Sequence, residues 1–383
     1  MSQQTKTYLL HGGLFLLTLV TTTLAGAEWM YGRLFLPIEG MLQLGWTEFV
    51  SGFQFSLPFL AILTVHEFGH YFVARANRVR VTLPYYIPLW LGIGPSIGTL
   101  GAFIRIKSYI NSRRQYFDIG VAGPLAGFVV ALGVLWYGFT HLPPADFIFT
   151  IHPEYKKWGL DYGRYAYKNL PEGAAMGLGD NLLFSFFKQY VADPARVPHT
   201  FEMVHYPYLL AGYLALFFTS LNLIPIGQLD GGHILYALIG EKRFRWFSPL
   251  LFVVFAFYAG LGFFKASDFA VINDEAFLDQ LGSFALYIGV MYLAFSRISE
   301  NRMTALLVAL SVVVVQLVCT QIWPDIEGYP NFLAFVFILG RFLGIQHPST
   351  ELQEPLDLKR QALGWLALVV FVLCFSPRPF VFS

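Results

Sequence analysis

Charged residues are scarce in this chain. Lysine, arginine, aspartate and glutamate make up 13% of its 383 residues, about half of the share found in soluble domains. Cysteine occurs twice, at Cys319 and Cys374, and both lie in apolar segments, so no disulfide framework is expected. The formal net charge is +1 and no basic recognition element occurs, so we expect no nucleic-acid partner.

Long apolar runs take the place of charge. Hydrophobic residues make up 56% of the chain, and a membrane-spanning helix needs about 20 predominantly apolar residues. Because the last-but-one candidate is short and can be re-entrant, we expect an all-α polytopic membrane protein with eight or nine spans in the lipid bilayer. The candidate spans lie near residues 8–27, 53–75, 116–140, 206–225, 248–264, 280–297, 303–322, 331–345 and 361–376.

The first apolar run has two interpretations. A lysine, an apolar stretch and the small residues at 25–27 resemble a signal peptide with its cleavage site. The alternative, which the many later spans favour, is an uncleaved first transmembrane helix. In either case the chain reaches the outer side before the second span.

Basic residues in short loops predict the orientation. The segment 75–115 carries seven lysines and arginines and no acid, so we expect it on the cytoplasmic side. The mixed-charge loop 141–205 then lies outside and is too small for a standard folded module with linkers. We therefore divide the chain into a first helix with its outer connection (1–49), a core (50–240) and additional helices (241–383).

Residues 79–108 cannot form one helix, since they contain three prolines and four glycines. The flanking pieces VRVTL and AFIRIK are strand-like. We expect a small β-hairpin or sheet at the cytoplasmic membrane interface.

The stretch HEFGH, residues 66–70, lies inside the second predicted span. On a helix, His66 and His70 share one face one turn apart, which suits a single zinc ion. Glu67 lies about 100° around the helix, where it can act as a general base. The pattern is therefore a metalloprotease motif. The alternative is a chance match with structural histidines, but ionisable residues inside a membrane span are rare without a function.

A third ligand has to come from elsewhere in the chain. Asp230 follows a helix break at Pro225 and Gly227, on the same predicted side as the histidines. Two roles stay open on residue chemistry: Asp230 ligates the metal, or it caps the short helix that follows. His233 is either a ligand itself or, as we prefer, a residue that supports a ligand from behind. Asn222 bonds neighbouring backbone or binds a substrate carbonyl or oxyanion.

Together these motifs resemble the site-2 protease family of intramembrane zinc metalloproteases, peptidase family M50. HEFGH is followed far downstream by LNLIPIGQLDGGH, and GTLGAFIRI and FDIGVAGPLAG lie between them. They look most like the branch with the plastid gravitropism-deficient and yellow-green proteases and many bacterial relatives. The similarity covers roughly residues 55–240 and 340–376, and leaves the role of 265–330 open.

The resemblance implies a function. It implies zinc bound by His66, His70 and Asp230, Glu67 as catalytic base, and Asn222 at the substrate. A glycine motif matches Gly120 and Gly123-Pro124. The expected activity is regulated intramembrane proteolysis, with a transmembrane protein as substrate. The expected location is a bacterial inner membrane with the site toward the cytoplasm.

Other classes compete with this interpretation. Membrane di-iron oxidases need several histidine boxes, and prenyl-protein peptidases need a glutamate ligand, for which only Glu241 and Glu300 lie near a span end. Many transporters are built from internal repeats, and this sequence shows none, so a transporter is not supported. A catalytically inactive protease-like scaffold or chaperone is disfavoured because the base and every ligand are present. The sequence does not specify an oligomeric state.

Overall fold

The computed structural model describes residues 2–36, 43–92, 96–168, 170–171, 173–269 and 274–383. In these ranges the chain is mainly helical, with four short strands. The helices are α1 (Gln3–Tyr31), α2 (Trp46–Ser51), α3 (Phe53–Ala76), α4 (Arg113–Thr140), α5 (Ile148–Ile151), α6 (Leu182–Tyr190), α7 (Pro207–Leu223), α8 (Asp230–Ile239), α9 (Glu241–Gly260), α10 (Asp274–Phe295), α11 (Arg302–Ile322), α12 (Leu333–Ile338) and α13 (Leu358–Cys374). The strands are β1 (Tyr85–Leu89), β2 (Gly98–Phe103), β3 (Met176–Leu178) and β4 (Phe380–Phe382).

Every predicted span coincides with a helix, but the helices differ in length. Five of those described are long and apolar enough to cross a membrane: Gln4–Tyr31, Trp46–Ala76, Arg113–Thr140, Phe277–Phe295 and Arg302–Ile322. Two shorter apolar stretches follow, Pro207–Leu223 and Pro330–Leu343. The membrane-embedded, helical class is thus confirmed, and the number of eight or nine spans stays a prediction.

The chain folds into two compact units. The first contains residues 1–110, 121–222 and 369–383, and the second contains 111–120 and 223–368. The predicted boundaries at residues 49 and 240 divide the chain by expected function, whereas the two units divide it by packing. The predicted boundaries therefore stay a prediction.

In the first unit, α1 packs against α3 and against a β-hairpin. β1 and β2 pair antiparallel, with a register irregularity between Tyr86 and Pro88. This confirms the predicted hairpin, although the strands start later and end earlier than the sequence suggested, and only the Val81–Ile106 bridge extends them outward. Gly98 has φ of +83°, and a Cβ there would meet the backbone of α1 at 2.4 Å from Thr21 O. The close approach of hairpin and helix therefore requires glycine.

The C-terminus of α3 ends in a Schellman motif. Arg78 has φ of +60°, its N–H donates to Arg75 O at 3.0 Å, and the Val79 N–H donates to Ala74 O at 2.9 Å. These are the two hydrogen bonds that close such a cap. Glycine is the usual residue at the left-handed position, so Arg78 carries a local backbone cost.

The segment 141–205 contains more structure than the sequence predicted. Ile148, Ile151 and Tyr162 form a small buried cluster. Asn181 is the N-cap of α6, and its side chain accepts from the Phe184 N–H at 2.8 Å. β3 pairs antiparallel with β4, which lies about two hundred residues later in the chain. The C-terminal residues 380–382 are thereby held against this segment.

In the second unit, the helices between residues 265 and 330 pack on α9. Tyr287 of α10 donates to Gln316 Oε1 of α11 at 2.8 Å, and Gln316 Nε2 donates to Phe257 O of α9 at 2.9 Å. Gln316 is buried, so its hydrogen bonds compensate for its removal from water. These helices are integral to the unit, although the resemblance assigned them no role.

Candidate metal centre

The three residues of the HEFGH motif lie on α3 as the spacing predicts. His66, Glu67 and His70 are all buried, with exposed fractions of 7%, 5% and 7%. The two Nε2 atoms of the histidines are 3.1 Å apart, and a Glu67 Oε1 lies 3.9 Å from His66 Nε2. Two nitrogen ligands and a carboxylate are therefore gathered on a helix of membrane-spanning length.

This donor pair fits a zinc ion. Zinc–nitrogen bonds are about 2.0–2.1 Å and the usual coordination is tetrahedral, which places two imidazole nitrogens about 3.3 Å apart. The observed separation of 3.1 Å needs only a small adjustment. Both nitrogens face one point, as two ligands of a single ion must.

Glycines of α4 make room for the two imidazoles. A Cβ at Gly123 would lie 2.1 Å from His70 Nε2, and a Cβ at Gly127 would lie 3.1 Å from His66 Cβ. On the facing side, a Cβ at Gly69 would meet Ala122 O at 2.7 Å. The sequence identified Gly123 but missed Gly127 and Gly69. Gly127 follows Gly123 by four residues, the same spacing as the histidine pair, and this small-xxx-small pattern was a usable signal.

Asn222 of α7 contacts the motif directly. Its Nδ2 lies 3.4 Å from His66 Nε2, and both residues border a cavity of about 40 Å³ lined otherwise by side chains of α3 and α7. A cavity of this size holds one water molecule. A larger cavity of about 470 Å³ borders Met30, His141 and Tyr206, and it contains none of the predicted site residues.

Asp230 belongs to the second unit, at the break that the sequence predicted. α7 ends at Leu223, Gly227 has φ of +58°, and α8 begins with Asp230. Cβ atoms at Gly231 and Gly232 would clash with Leu223 O and Gly227 O at 2.0 and 2.3 Å. The glycines are thus needed for the chain to fold back so tightly. Leu229 occupies the N-cap position, and Asp230 is the first helical residue.

His233 pairs with His347 in the second unit. The His233 Nδ1 and His347 Nε2 atoms are 2.8 Å apart, and His347 stacks on Tyr236 at 3.7 Å between ring centroids. Burial, together with the neighbouring His233, lowers the pKa of His347 to about 3. His347 is therefore a neutral, fixed imidazole. Gly120 lies against His233, where a Cβ would come within 2.9 Å of His233 Cβ.

Known proteins with similar sequences include peptidases and probable zinc metalloproteases. The sequence profile of peptidase family M50 matches residues 54–264. The probable zinc metalloprotease EGY2, chloroplastic, of Oryza sativa subsp. indica is 30% identical over 228 residues, which cover 59% of this chain and 34% of that protein. The EGY2 protein of Arabidopsis thaliana is 28% identical over 50% of this chain and 30% of its own length. EGY1 of Arabidopsis thaliana is 26% identical over 51% and 31%. No solved structure matches significantly.

The profile covers more than half of the chain, so this chain belongs to peptidase family M50. Its cofactor is zinc, and the relatives that it matches are named as probable zinc metalloproteases. The chain spans only about a third of the length of the curated relatives it matches. The roles of the individual site residues stay predictions.

Proposed function

We propose that this protein is an intramembrane zinc metalloprotease that hydrolyses peptide bonds in or near the transmembrane segments of other membrane proteins. One observation carries the proposal: His66, Glu67 and His70 are buried together on α3, which belongs to a helical stretch of 31 residues, Trp46–Ala76, that is long and apolar enough to cross a membrane. Three ionisable groups in such a segment are costly without a function.

Each residue of the motif has a defined task. His66 and His70 hold the metal, which supplies Lewis-acid chemistry that polarises a carbonyl and activates water. Glu67 removes a proton from the attacking water and delivers it to the leaving amine. Because Glu67 Oε1 is 3.9 Å from His66 Nε2, the carboxylate lies beside the metal-binding nitrogen without having to replace it.

We assign Asp230 as the third ligand and Asn222 to the substrate. The N-cap of α8 is already Leu229, which weakens the alternative that Asp230 serves only as a cap. Asn222 Nδ2 lies near His66 Nε2. Once that nitrogen binds a metal, the amide is left to donate to a substrate carbonyl or oxyanion.

The substrate has to unwind before cleavage, because a helical peptide bond is shielded and hydrogen-bonded. The β1–β2 hairpin offers strands to which an extended substrate segment can add.

We further propose that the shorter helices also cross the bilayer, which gives eight or nine spans, and that the site opens toward the cytoplasm. The relatives are named chloroplastic, so the predicted bacterial inner membrane has no support from them.

A reconstituted cleavage assay tests the substrate class. The zinc-loaded protein is incubated in lipid vesicles with a peptide that has one transmembrane helix, and with a water-soluble peptide of equal length. We expect products only from the transmembrane peptide, with the cut mapped by mass spectrometry to its apolar segment or its edge. Cleavage of the soluble peptide alone would contradict the proposal.

A further inference from the structure

A second group of metal-ligating side chains lies in the segment 141–205. His152, Glu202 and His205 bring three ligand atoms together. His152 Nε2 and His205 Nε2 are 3.4 Å apart, and Glu202 Oε2 is 3.5 Å from the former and 3.4 Å from the latter. The three atoms form a nearly equilateral triangle. The point equidistant from its corners lies about 2.0 Å from each, which is the bond length of zinc to imidazole nitrogen and carboxylate oxygen.

Each of the three groups is held from behind. His205 Nδ1 lies 2.6 Å from Trp29 O, a backbone carbonyl of α1, and His152 Nδ1 lies 3.0 Å from a carboxylate oxygen of Glu154. Both contacts require a proton on Nδ1, which leaves Nε2 as an acceptor facing the centre. The Tyr167 hydroxyl donates to the other carboxylate oxygen of Glu202. Metal-binding histidines and carboxylates are oriented by outer partners of this kind.

One corner of the triangle is a deeply buried carboxylate oxygen. Glu202 is 2% exposed, and its Oε2 has no hydrogen-bond partner within the part of the chain that the structure describes. Leaving a buried carboxylate oxygen in that state costs free energy, whereas a cation placed between three acceptors satisfies all of them.

We propose that His152, Glu202 and His205 form a second metal site, which binds a divalent transition metal of the zinc type. Two imidazoles and one carboxylate suit zinc and related ions, and a water completes the four-coordinate shell. The site shares no residue with the HEFGH motif and does not depend on the proposed protease activity. Its ligands come from two distant stretches of the 141–205 segment, and His205 is anchored to α1. The ion therefore fastens this segment to the end of α1.

The test counts metal in a protein whose first site has been removed. The variant His66→Ala/His70→Ala is purified in detergent through an affinity tag without histidines, and zinc per chain is measured by mass spectrometry. We expect about one zinc per chain. A zinc content near zero in this variant would overturn the proposal, while leaving the proposed protease untouched.

Two further variants in that background locate the ion. His152→Ala removes the most exposed of the three ligands and should reduce zinc to near zero. His141→Ala is the matched control, since His141 is an exposed histidine of the same segment whose Nδ1 bonds to the end of its own helix, and zinc should be retained. Retention of zinc in His152→Ala would overturn the assignment.

X-ray absorption on the double variant needs no substitution in the new site. It should show about four nitrogen or oxygen neighbours at about 2.0–2.1 Å, with imidazole scattering and no sulfur. A spectrum without imidazole scattering would equally refute the site, even if His152→Ala failed to fold.

Discussion

Buried histidine and glutamate side chains gather in two clusters within the part of the chain that the structure describes. His66, Glu67 and His70 lie within a membrane-length helix, and Glu202 and His205 are buried near the end of another. Both groups place imidazole Nε2 atoms 3.1–3.4 Å apart, a separation suited to a shared cation. The first group is the zinc site assigned under the proposed function, and the second is the new metal site proposed above.

Replacing Asp230 with asparagine separates its two possible roles. Asparagine caps or begins a helix about as well as aspartate, but its neutral amide is a poor zinc ligand. We expect Asp230→Asn to weaken zinc binding at the first site by at least about 100-fold, since even outer partners of ligands contribute 10–100-fold. Zinc affinity is measured by competition with a chelating dye. An unchanged zinc affinity would show that Asp230 is not a ligand and that its role is structural.

The residues of the first site could be found from the sequence because their spacing encodes geometry. A separation of four places His66 and His70 on one helical face, and Pro225 and Gly227 signal the break before Asp230. His152 and His205 are 53 residues apart in irregular structure, so no periodicity connects them. Both also lie in the segment 141–205, which the sequence places on the side opposite to the HEFGH motif.

At the scale of elements, α4 approaches α3 closely because glycine occupies the contact positions, and Gly123 is the clearest case. A Cβ at position 123 would overlap His70 Nε2 at 2.1 Å, whereas nothing lies within 4 Å of a Cβ at position 133 of the same helix. We expect Gly123→Ala to displace the His70 imidazole and to abolish zinc binding at the first site, and Gly133→Ala to retain it. Zinc content and the elution volume of both variants check this. Full zinc occupancy in Gly123→Ala would contradict the packing described here.

The Schellman motif at the end of α3 gives a prediction of stability. Arg78→Gly should stabilise the protein by about 0.5–1 kcal/mol, because glycine adopts the left-handed conformation without steric cost. Arg75→Gly removes the same charge from a helical position in the last turn of α3 and should destabilise the protein by up to about 1 kcal/mol, because glycine disfavours the helical conformation. Thermal unfolding in detergent distinguishes the two. Equal shifts of the unfolding temperature in both variants would indicate that the lost charge, and not the backbone conformation, determines the change in stability.

Local elements were more predictable than their pairing. The prolines and glycines of 79–108 correctly indicated a hairpin, but the strands lie at 85–89 and 98–103, because the flanking pieces meet only at the Val81–Ile106 bridge. The β3–β4 pair joins residues about two hundred positions apart. Backbone pairing of this range is decided by tertiary packing, for which short strands carry little sequence signal.

For the whole molecule, the loop charges predict the orientation. Lys107 is exposed in the basic segment 75–115, and Lys156 is exposed in the segment 141–205. In a background with Cys319 and Cys374 replaced by serine, Lys107→Cys should react with a membrane-impermeant thiol reagent only after the inner face is opened. Lys156→Cys should react in intact cells. The reverse pattern would invert the topology and place the catalytic site toward the outside.

The central claim is that a buried carboxylate beside a metal-binding histidine pair hydrolyses peptide bonds. The most direct measurement compares wild type with Glu67→Gln, at equal zinc content, in cleaving the same transmembrane peptide. General acid–base catalysis contributes about 10²–10⁴-fold, so Glu67→Gln should bind zinc normally and cleave at least about 100-fold more slowly. Equal cleavage rates for the two proteins would contradict the account.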